Sequence, residues 1–273
     1  MLKKFFRKIL REITRSKPVR ALFPVTYKPS PRDMLLLDLL RSRHLGKRCL
    51  ILGCGPSLAL EDVNKLRFEY TFACNKIYLL FDQTEWRPTF YCCEDSLLLR
   101  NNLEDILRLD RTLKIFPSDV YPALRGHKLV RDCYFVPQLP HRPDGPDFPG
   151  GFSLDATKGL FWGSTVVYSM LQLAVYMGFR DICLLGVDHS YILPGQKVKN
   201  KYICEGEINH FHKDYHKVGE AWHEPRVPML TQSYACALRE CQKQGVGVYN
   251  ASRRTALDVF PKVDLDVLLH DNG

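Results

Sequence analysis

A short apolar run, Cys49 to Leu52, ends abruptly in Gly53-Cys54-Gly55-Pro56-Ser57. Residues that free the backbone directly after such a run read as a buried strand emptying into a tight loop. Ser57, with Glu61 and Asp62 behind it, suits a helix start, where a hydroxyl caps and acids meet the positive end of the dipole. A loop of this kind presents backbone N–H groups to an anion, typically a phosphate. The alternation then repeats. Strands are predicted at Arg48–Leu52, Tyr70–Ala73, Thr89–Cys93, Leu113–Phe116, Asp181–Asp188 and Val246–Tyr249. Helices are predicted near Asp33–Arg43, Leu58–Lys65, Leu97–Leu107, Ser164–Gly178 and Thr231–Gln244. Strands alternating with helices imply a Rossmann-like, doubly wound, mostly parallel α/β sheet. One nucleotide-binding catalytic domain is expected over 48–270, with a polar lid-like insertion at 189–228 and a connector with a helix at 18–47.

Charge separates the N-terminal segment from this body. Residues 1–17 hold seven Lys or Arg against one Glu, +6 of the total +9, and the remaining 32 basic and 29 acidic residues leave only +3. Such a body is not a nucleic-acid binder by charge. Leu2, Phe5, Phe6, Ile9, Leu10 and Ile13 recur at helical spacing among the basic residues. A basic amphipathic helix suits an anionic membrane surface, although its apolar stripe could also pack on the protein itself. Charges interrupt any apolar core long enough for a signal peptide, and no run reaches the ~20 apolar residues needed to span a bilayer. The expected location is cytoplasmic, peripheral on the inner face of the cell membrane. Several of the ten cysteines sit in strand-like runs, and no C-x-x-C pair occurs, so reduced, buried thiols are expected.

In open parallel sheets, ligands bind at the carboxyl ends of the strands. Five tips are thereby singled out: "GCGPSL", "CNK", "CED", "GVDHSY" and "YNAS". The first lacks the third glycine of a dinucleotide fingerprint and the Gly-Lys-Ser/Thr of a Walker loop, leaving another phosphate loop or a structural turn. Asn75 can contact a base, ribose or phosphate, or simply form a turn. Glu94 and Asp95 can hold a divalent metal, bind ribose hydroxyls or cap a helix. Gly163, Ser164 and Thr165 open a long apolar helix and offer a second anion site, or an ordinary cap. His210, His212 and His216 are a possible metal set, but no supporting Cys or carboxylate cluster is evident, so a solvated lid is expected. His223 stands between the last major elements of the sheet, where it can serve as a general base or lie idle on the surface.

The series "GCGPSL", "FACNKIY", "GSTVVYSMLQLAVYMGFRDICLLGVD", a His and "VYNAS" resembles the bacterial sialyltransferases of glycosyltransferase family 42. It is similar also to the central domain of motility accessory factors and to the archaeal 6-hydroxymethylpterin diphosphokinase-like group. The resemblance runs from about Cys49 to Leu269. Toward the sialyltransferases, it implies an inverting, metal-free transfer of a nonulosonic or Kdo-type sugar from a CMP donor to a cell-surface glycan or lipid-linked acceptor. It places Gly53, Cys54, Gly55, Pro56 and Ser57 under the phosphate, and Asn75, Gly163, Ser164, Thr165, Gly186, Asp188, Asn250 and Ser252 around the donor. His223 falls near the catalytic base, and Tyr191 is the best-placed holder of the leaving phosphate, ahead of Tyr202 and Tyr215. Cys54 stands where that family has Asn, and its Arg before Thr-Ser-Gly has no match. The acidic "CED" leans toward the pterin-kinase-like group, where an acid at this place would serve Mg²⁺ and a diphosphokinase reaction. A non-catalytic nucleotide-sugar-binding or scaffold protein of polysaccharide assembly is the third expectation.

Overall fold

The computed structural model describes residues 28–124, 130, 132–140, 148–193, 195–199 and 201–270. The basic segment 1–17 lies outside them, and among the described residues no helix is long and apolar enough to cross a membrane.

Seven parallel strands form the frame: β1 (Arg48–Leu52), β2 (Tyr70–Cys74), β3 (Phe90–Cys92), β4 (Leu113–Pro117), β5 (Cys133–Val136), β6 (Asp181–Leu185) and β10 (Gly247–Asn250). Their spatial order is β10-β6-β1-β2-β3-β4-β5, every neighbouring pair parallel. In β1, Cys49 and Ile51 enter one core while Leu50 and Leu52 enter the other, so both faces are buried and the strand reads as continuously apolar. The first core is covered by α1 (Pro31–Leu40), α6 (Val166–Tyr176) and α7 (Val227–Lys243). The second is covered by α2 (Leu60–Asn64), α3 (Ser96–Asn101), α4 (Leu103–Leu107), α5 (Tyr121–Leu124) and α8 (Leu265–His270). The doubly wound α/β fold expected from the sequence is the one observed. All ten cysteines are buried and unpaired by disulfides.

The chain runs outward from β1 to β5 and returns on the other side for β6 and β10. The order therefore reverses between β1 and β6, which is where such sheets open a ligand crevice.

Between β6 and α7 the chain builds a small antiparallel sheet, β7 (Lys197–Val198), β8 (Lys201–Ile203) and β9 (Ala221–His223), around Tyr202, Cys204 and Trp222. This insertion is tied down at two points. Phe211 N–H donates to Cys54 O at 3.1 Å. Lys76, 5% exposed, donates through Nζ to Tyr215 O at 2.5 Å and reaches Glu220 Oε1 at 3.3 Å.

Three local expectations change. The helix after the glycine loop shrinks to Leu60–Asn64, and its cap residue is Ala59, not Ser57. The helix expected over 97–107 breaks at Asn102 into α3 and α4. Strand β5 and the three lid strands were not foreseen, being two to four residues long.

Candidate active site

The "GCGPSL" loop differs from the open cradle that its composition implies. Gly53 N–H donates to Leu185 O, Gly55 N–H to Gly186 O, and Leu58 N–H to Gly55 O. Ser57 N–H donates to Asp188 Oδ2 at 2.8 Å, and its hydroxyl bonds Oδ1 of the same carboxylate. Glycine is needed because two backbones meet here. A Cβ on Gly53 would stand 2.5 Å from Gly186 O, and one on Gly55 2.7 Å from the Asp188 carboxyl carbon. Three N–H groups are thus committed to β6 and its loop and a fourth to the glycine loop itself, which corrects the expectation of a free phosphate nest. Burial pushes the Asp188 carboxyl up from its ordinary value, while the Ser57 bonds pull it down.

Two adjoining cavities lie along the strand tips. The smaller, about 110 Å³, is lined by Gly53, Cys54, Gly55, Asn75, Thr165, Gly186, Asp188, His189, Tyr191 and others. The larger, about 460 Å³, adds Glu94, Asp95, Ser164, Trp162, His216, Glu220, His223 and Arg226. Asn75, Thr165, Val166, Tyr191, His210 and Tyr215 line both. Four of the five tips therefore converge. The fifth does not: Asn250, 1% exposed, bonds Thr255 Oγ1 and Ser252 N, while Ser252 Oγ accepts from Val187 N. That tip braces the β6 loop from behind. Pro56, Ser57 and Gly163 are also absent from both linings. Gly163 takes a bond from Ser233 Oγ and leaves no room for a Cβ, which would lie 2.4 Å from the Tyr168 ring. Tyr202 packs in the lid against Trp222 instead of facing the crevice.

Asn75 adopts a left-handed backbone with φ of 51°, which Asn tolerates better than most residues. Its carbonyl accepts from Tyr91 Oη at 2.6 Å, but its side-chain Oδ1 is buried without a partner. Glu94 Oε1 takes a bond from Ser169 Oγ, and its Oε2 is likewise buried and unpartnered. Burial pushes the Glu94 carboxyl up to about 8, against the pull of Ser169. Both orphaned atoms belong to crevice-lining residues, and buried polar atoms left unpaired in a native fold call for a partner.

Asp95 works in two directions. Its Oδ1 caps α3 by accepting from Leu97 N at 2.7 Å and Leu98 N at 3.1 Å. Its Oδ2 lies 2.9 Å from Nδ1 of His223, which β9 delivers from the lid. Burial raises the Asp95 carboxyl, but the bond and charge of His223 and the two α3 amides outweigh it and hold the group below its ordinary value. An ionised Asp95 therefore accepts from His223 Nδ1–H, leaving the lone pair on Nε2, which has no partner among the described residues. This is the geometry of an oriented general base.

At the start of α6, Thr165 Oγ1 caps Val167 N at 3.3 Å, so that hydroxyl is occupied. Ser164, with φ of 61°, keeps its hydroxyl without a partner among the described residues. Trp162 and Arg226 were missed in the sequence, and His210, named there only as a possible metal ligand, also lines the crevice. His189, part of the tip already singled out, had drawn no role of its own; its Nε2 pairs with Thr231 Oγ1 at 2.8 Å. The lid also gathers a carboxylate that sequence spacing did not reveal. Glu207 Oε1 lies 3.0 Å from His210 Nδ1, and Glu207, His210 and His216 form one cluster, which His212 does not join.

The molecule is thus an open parallel α/β protein with a polar crevice at the switch point of its sheet, walled by an inserted lid. Residues 30–193, more than half of the chain, match the family described as 6-hydroxymethylpterin diphosphokinase MptE-like, and the chain belongs to that family. A solved MAf glycosyltransferase from Magnetospirillum magneticum AMB-1 is similar at 13% identity and a TM-score of 0.49, over 86% of this chain and 38% of that one. The chain thus spans well under half of that protein. The sialyltransferase CstII from Campylobacter jejuni, solved with the substrate analogue CMP-3FNeuAc, is similar at 14% identity and a TM-score of 0.43, over 80% of this chain and 86% of that one. No curated protein matches the sequence.

Proposed function

We propose that this chain is an inverting glycosyltransferase that moves a nonulosonic or Kdo-type sugar from a CMP donor to a glycan or lipid-linked acceptor. The observation that carries the reading is the pairing of Asp95 with His223 Nδ1 at 2.9 Å, beside a crevice with an unpartnered Nε2. His223 Nε2 takes the acceptor hydroxyl's proton as that oxygen attacks the anomeric carbon. The bond from that carbon to the donor phosphate breaks in the same displacement, and the phosphate leaves with the electron pair. Such a base is typically worth 10²–10⁴-fold in rate. The free hydroxyl of Ser164 and the start of α6, with Arg226 in the same wall, suit the leaving phosphate better than the occupied loop at 53–58. Asn75 Oδ1 needs a hydrogen-bond donor, which a cytosine amino group or a sugar hydroxyl supplies, whereas the protonated Glu94 carboxyl can itself donate to a ligand oxygen.

The family's description favours a second reading, a Mg²⁺-dependent diphosphokinase acting on a pterin-like heterocycle. Against it, neither acid of the "CED" tip is a free Mg²⁺ ligand. Asp95 is shared between a helix cap and His223, and Glu94 holds its proton up to about pH 8.

A thermal-shift panel of CMP, CDP, UDP, GDP and ATP, each with and without Mg²⁺, separates the two. CMP alone raises Tm under the first reading; ATP only with Mg²⁺ does so under the second. His223→Ala then removes transfer while sparing CMP binding. If no nucleotide moves Tm, both enzyme readings fail and a scaffold role in polysaccharide assembly is supported. Residues 1–17 are proposed to hold the protein at the inner leaflet, and their deletion is expected to abolish sedimentation with anionic vesicles while leaving the fold intact.

A further inference from the structure

The lid carries a second feature, separate from the Asp95–His223 pair. Glu207, His210 and His216 offer one carboxylate oxygen and two imidazole nitrogens that all lie within 4.8 Å of one another. The Glu207 side chain is only 3% exposed and His210 15%. The loop is set by side-chain to backbone bonds: Glu207 Oε1 accepts from Asn209 N at 2.8 Å, and Asn209 pins Ile192 through two more bonds. His210 is held face to face on Tyr215, centroids 3.7 Å apart, and His216 lies near-parallel to Trp222 at 5.8 Å. The rings are therefore fixed before any ligand arrives.

One nitrogen in this arrangement lacks a partner. His216 is 9% exposed, and its Nδ1 is buried without a hydrogen bond; Glu220 Oε1 stands 3.5 Å away and is already engaged by Lys76. A buried ring nitrogen left unbonded beside a second imidazole and a buried carboxylate is the donor set of a first-row divalent metal. All three residues line a separate cavity of about 320 Å³, with room for the water that completes a fourth position.

We propose that Glu207, His210 and His216 bind one zinc ion, which staples the lid insertion internally. Two imidazoles and one carboxylate with an open fourth place is a recurring zinc set, whereas Mg²⁺ demands oxygen ligands throughout. The site does not rest on the transferase reading and differs from the Mg²⁺ that a diphosphokinase needs. A metal here stiffens the wall shared by the lid cavity and the crevice, because His210 and His216 border both.

The test uses the full chain, stripped with chelator and titrated with zinc alone. One zinc per chain by elemental analysis, a raised Tm with Zn²⁺ and none with Mg²⁺ are expected. His216→Gln should weaken zinc affinity at least about a hundredfold, since even outer-shell changes cost 10–100-fold. His212→Gln, at a neighbouring histidine outside the cluster, should leave the affinity unchanged. Co²⁺ substitution gives a readout that needs no variant: an intense visible spectrum of a low-coordinate site is expected. Less than one zinc per chain, equal affinity in His216→Gln, or a pale six-coordinate cobalt spectrum would each overturn the proposal.

Discussion

Two strand tips face each other across the same crevice and are built on opposite plans. At the β1–β6 tip, the polar groups are largely claimed from within: four amides of residues 53–58 are hydrogen-bonded, and both Asp188 oxygens are taken by Ser57. At the tips of β2 and β3, polar atoms are left over. Asn75 Oδ1 and Glu94 Oε2 are buried without partners, and His223 presents a lone pair held in place by Asp95. The first tip is a joint and the second is a site. The glycine motif stands out in the sequence because two backbones must touch, which tolerates no Cβ, and that requirement concerns the frame more than a ligand.

The sharpest way to break this contrast is to disturb the joint. Gly53→Ala puts a Cβ 2.5 Å from the Gly186 carbonyl oxygen, a backbone atom that cannot swing aside. A loss of roughly 2–3 kcal/mol in folding stability is expected, read as a lowered urea midpoint with unchanged slope. His223→Ala, on an exposed side chain, should stay within about 0.5 kcal/mol of the parent in the same assay. Equal losses in the two variants would mean the tips are not built differently.

The second comparison is kinetic. Asp95→Asn keeps an N-cap, because Asn caps as well as Asp, but removes the carboxylate that orients His223. A tenfold to hundredfold fall in kcat is expected, about 1.4–2.7 kcal/mol of barrier, with little change in KM. An unchanged kcat would leave Asp95 as a helix cap alone.

What the sequence revealed divides along the same line. Strands β1, β2 and β6 were legible because each carries an apolar run buried on both faces, four residues long in β1 and β6 and three in β2. Strand β5 was not, because a four-residue edge strand such as Cys133–Val136 carries no period of its own. The convergence of four tips followed from topology, and the crevice lies where that rule put it. The pairing of Asp95 with His223 links positions 128 apart and depends on a three-residue lid strand, so no spacing announces it. Glu207 was passed over for the same reason: the carboxylate that completes the histidine pair is brought round by a loop. Conversely, the phosphate reading of residues 53–58 erred because nothing local shows that Asp188 arrives, 131 residues later, to occupy the Ser57 amide.

The smallest expected effect tests whether the β3 tip is under tension without its ligand. Glu94 holds a proton up to about 8 in the folded chain, whereas an unfolded Glu releases it near 4.5. The folded state therefore binds more protons across that interval, and the contribution is fully present below about 4.5 and lost as pH climbs to about 8. Gln at this position cannot ionise, can still accept from Ser169 Oγ, and keeps the shape. Glu94→Gln should flatten the stability profile between those limits, with a gain over the parent on the order of 1–2 kcal/mol at pH 8 and none at pH 4. The same measurement on Ser57→Ala, at the joint, should show a loss at pH 4 as well as at pH 8, because the hydroxyl bond to Asp188 is removed. Parallel curves for Glu94→Gln and its parent would mean that the carboxyl ionises freely in the folded protein, and the β3 tip would then be as internally satisfied as its neighbour.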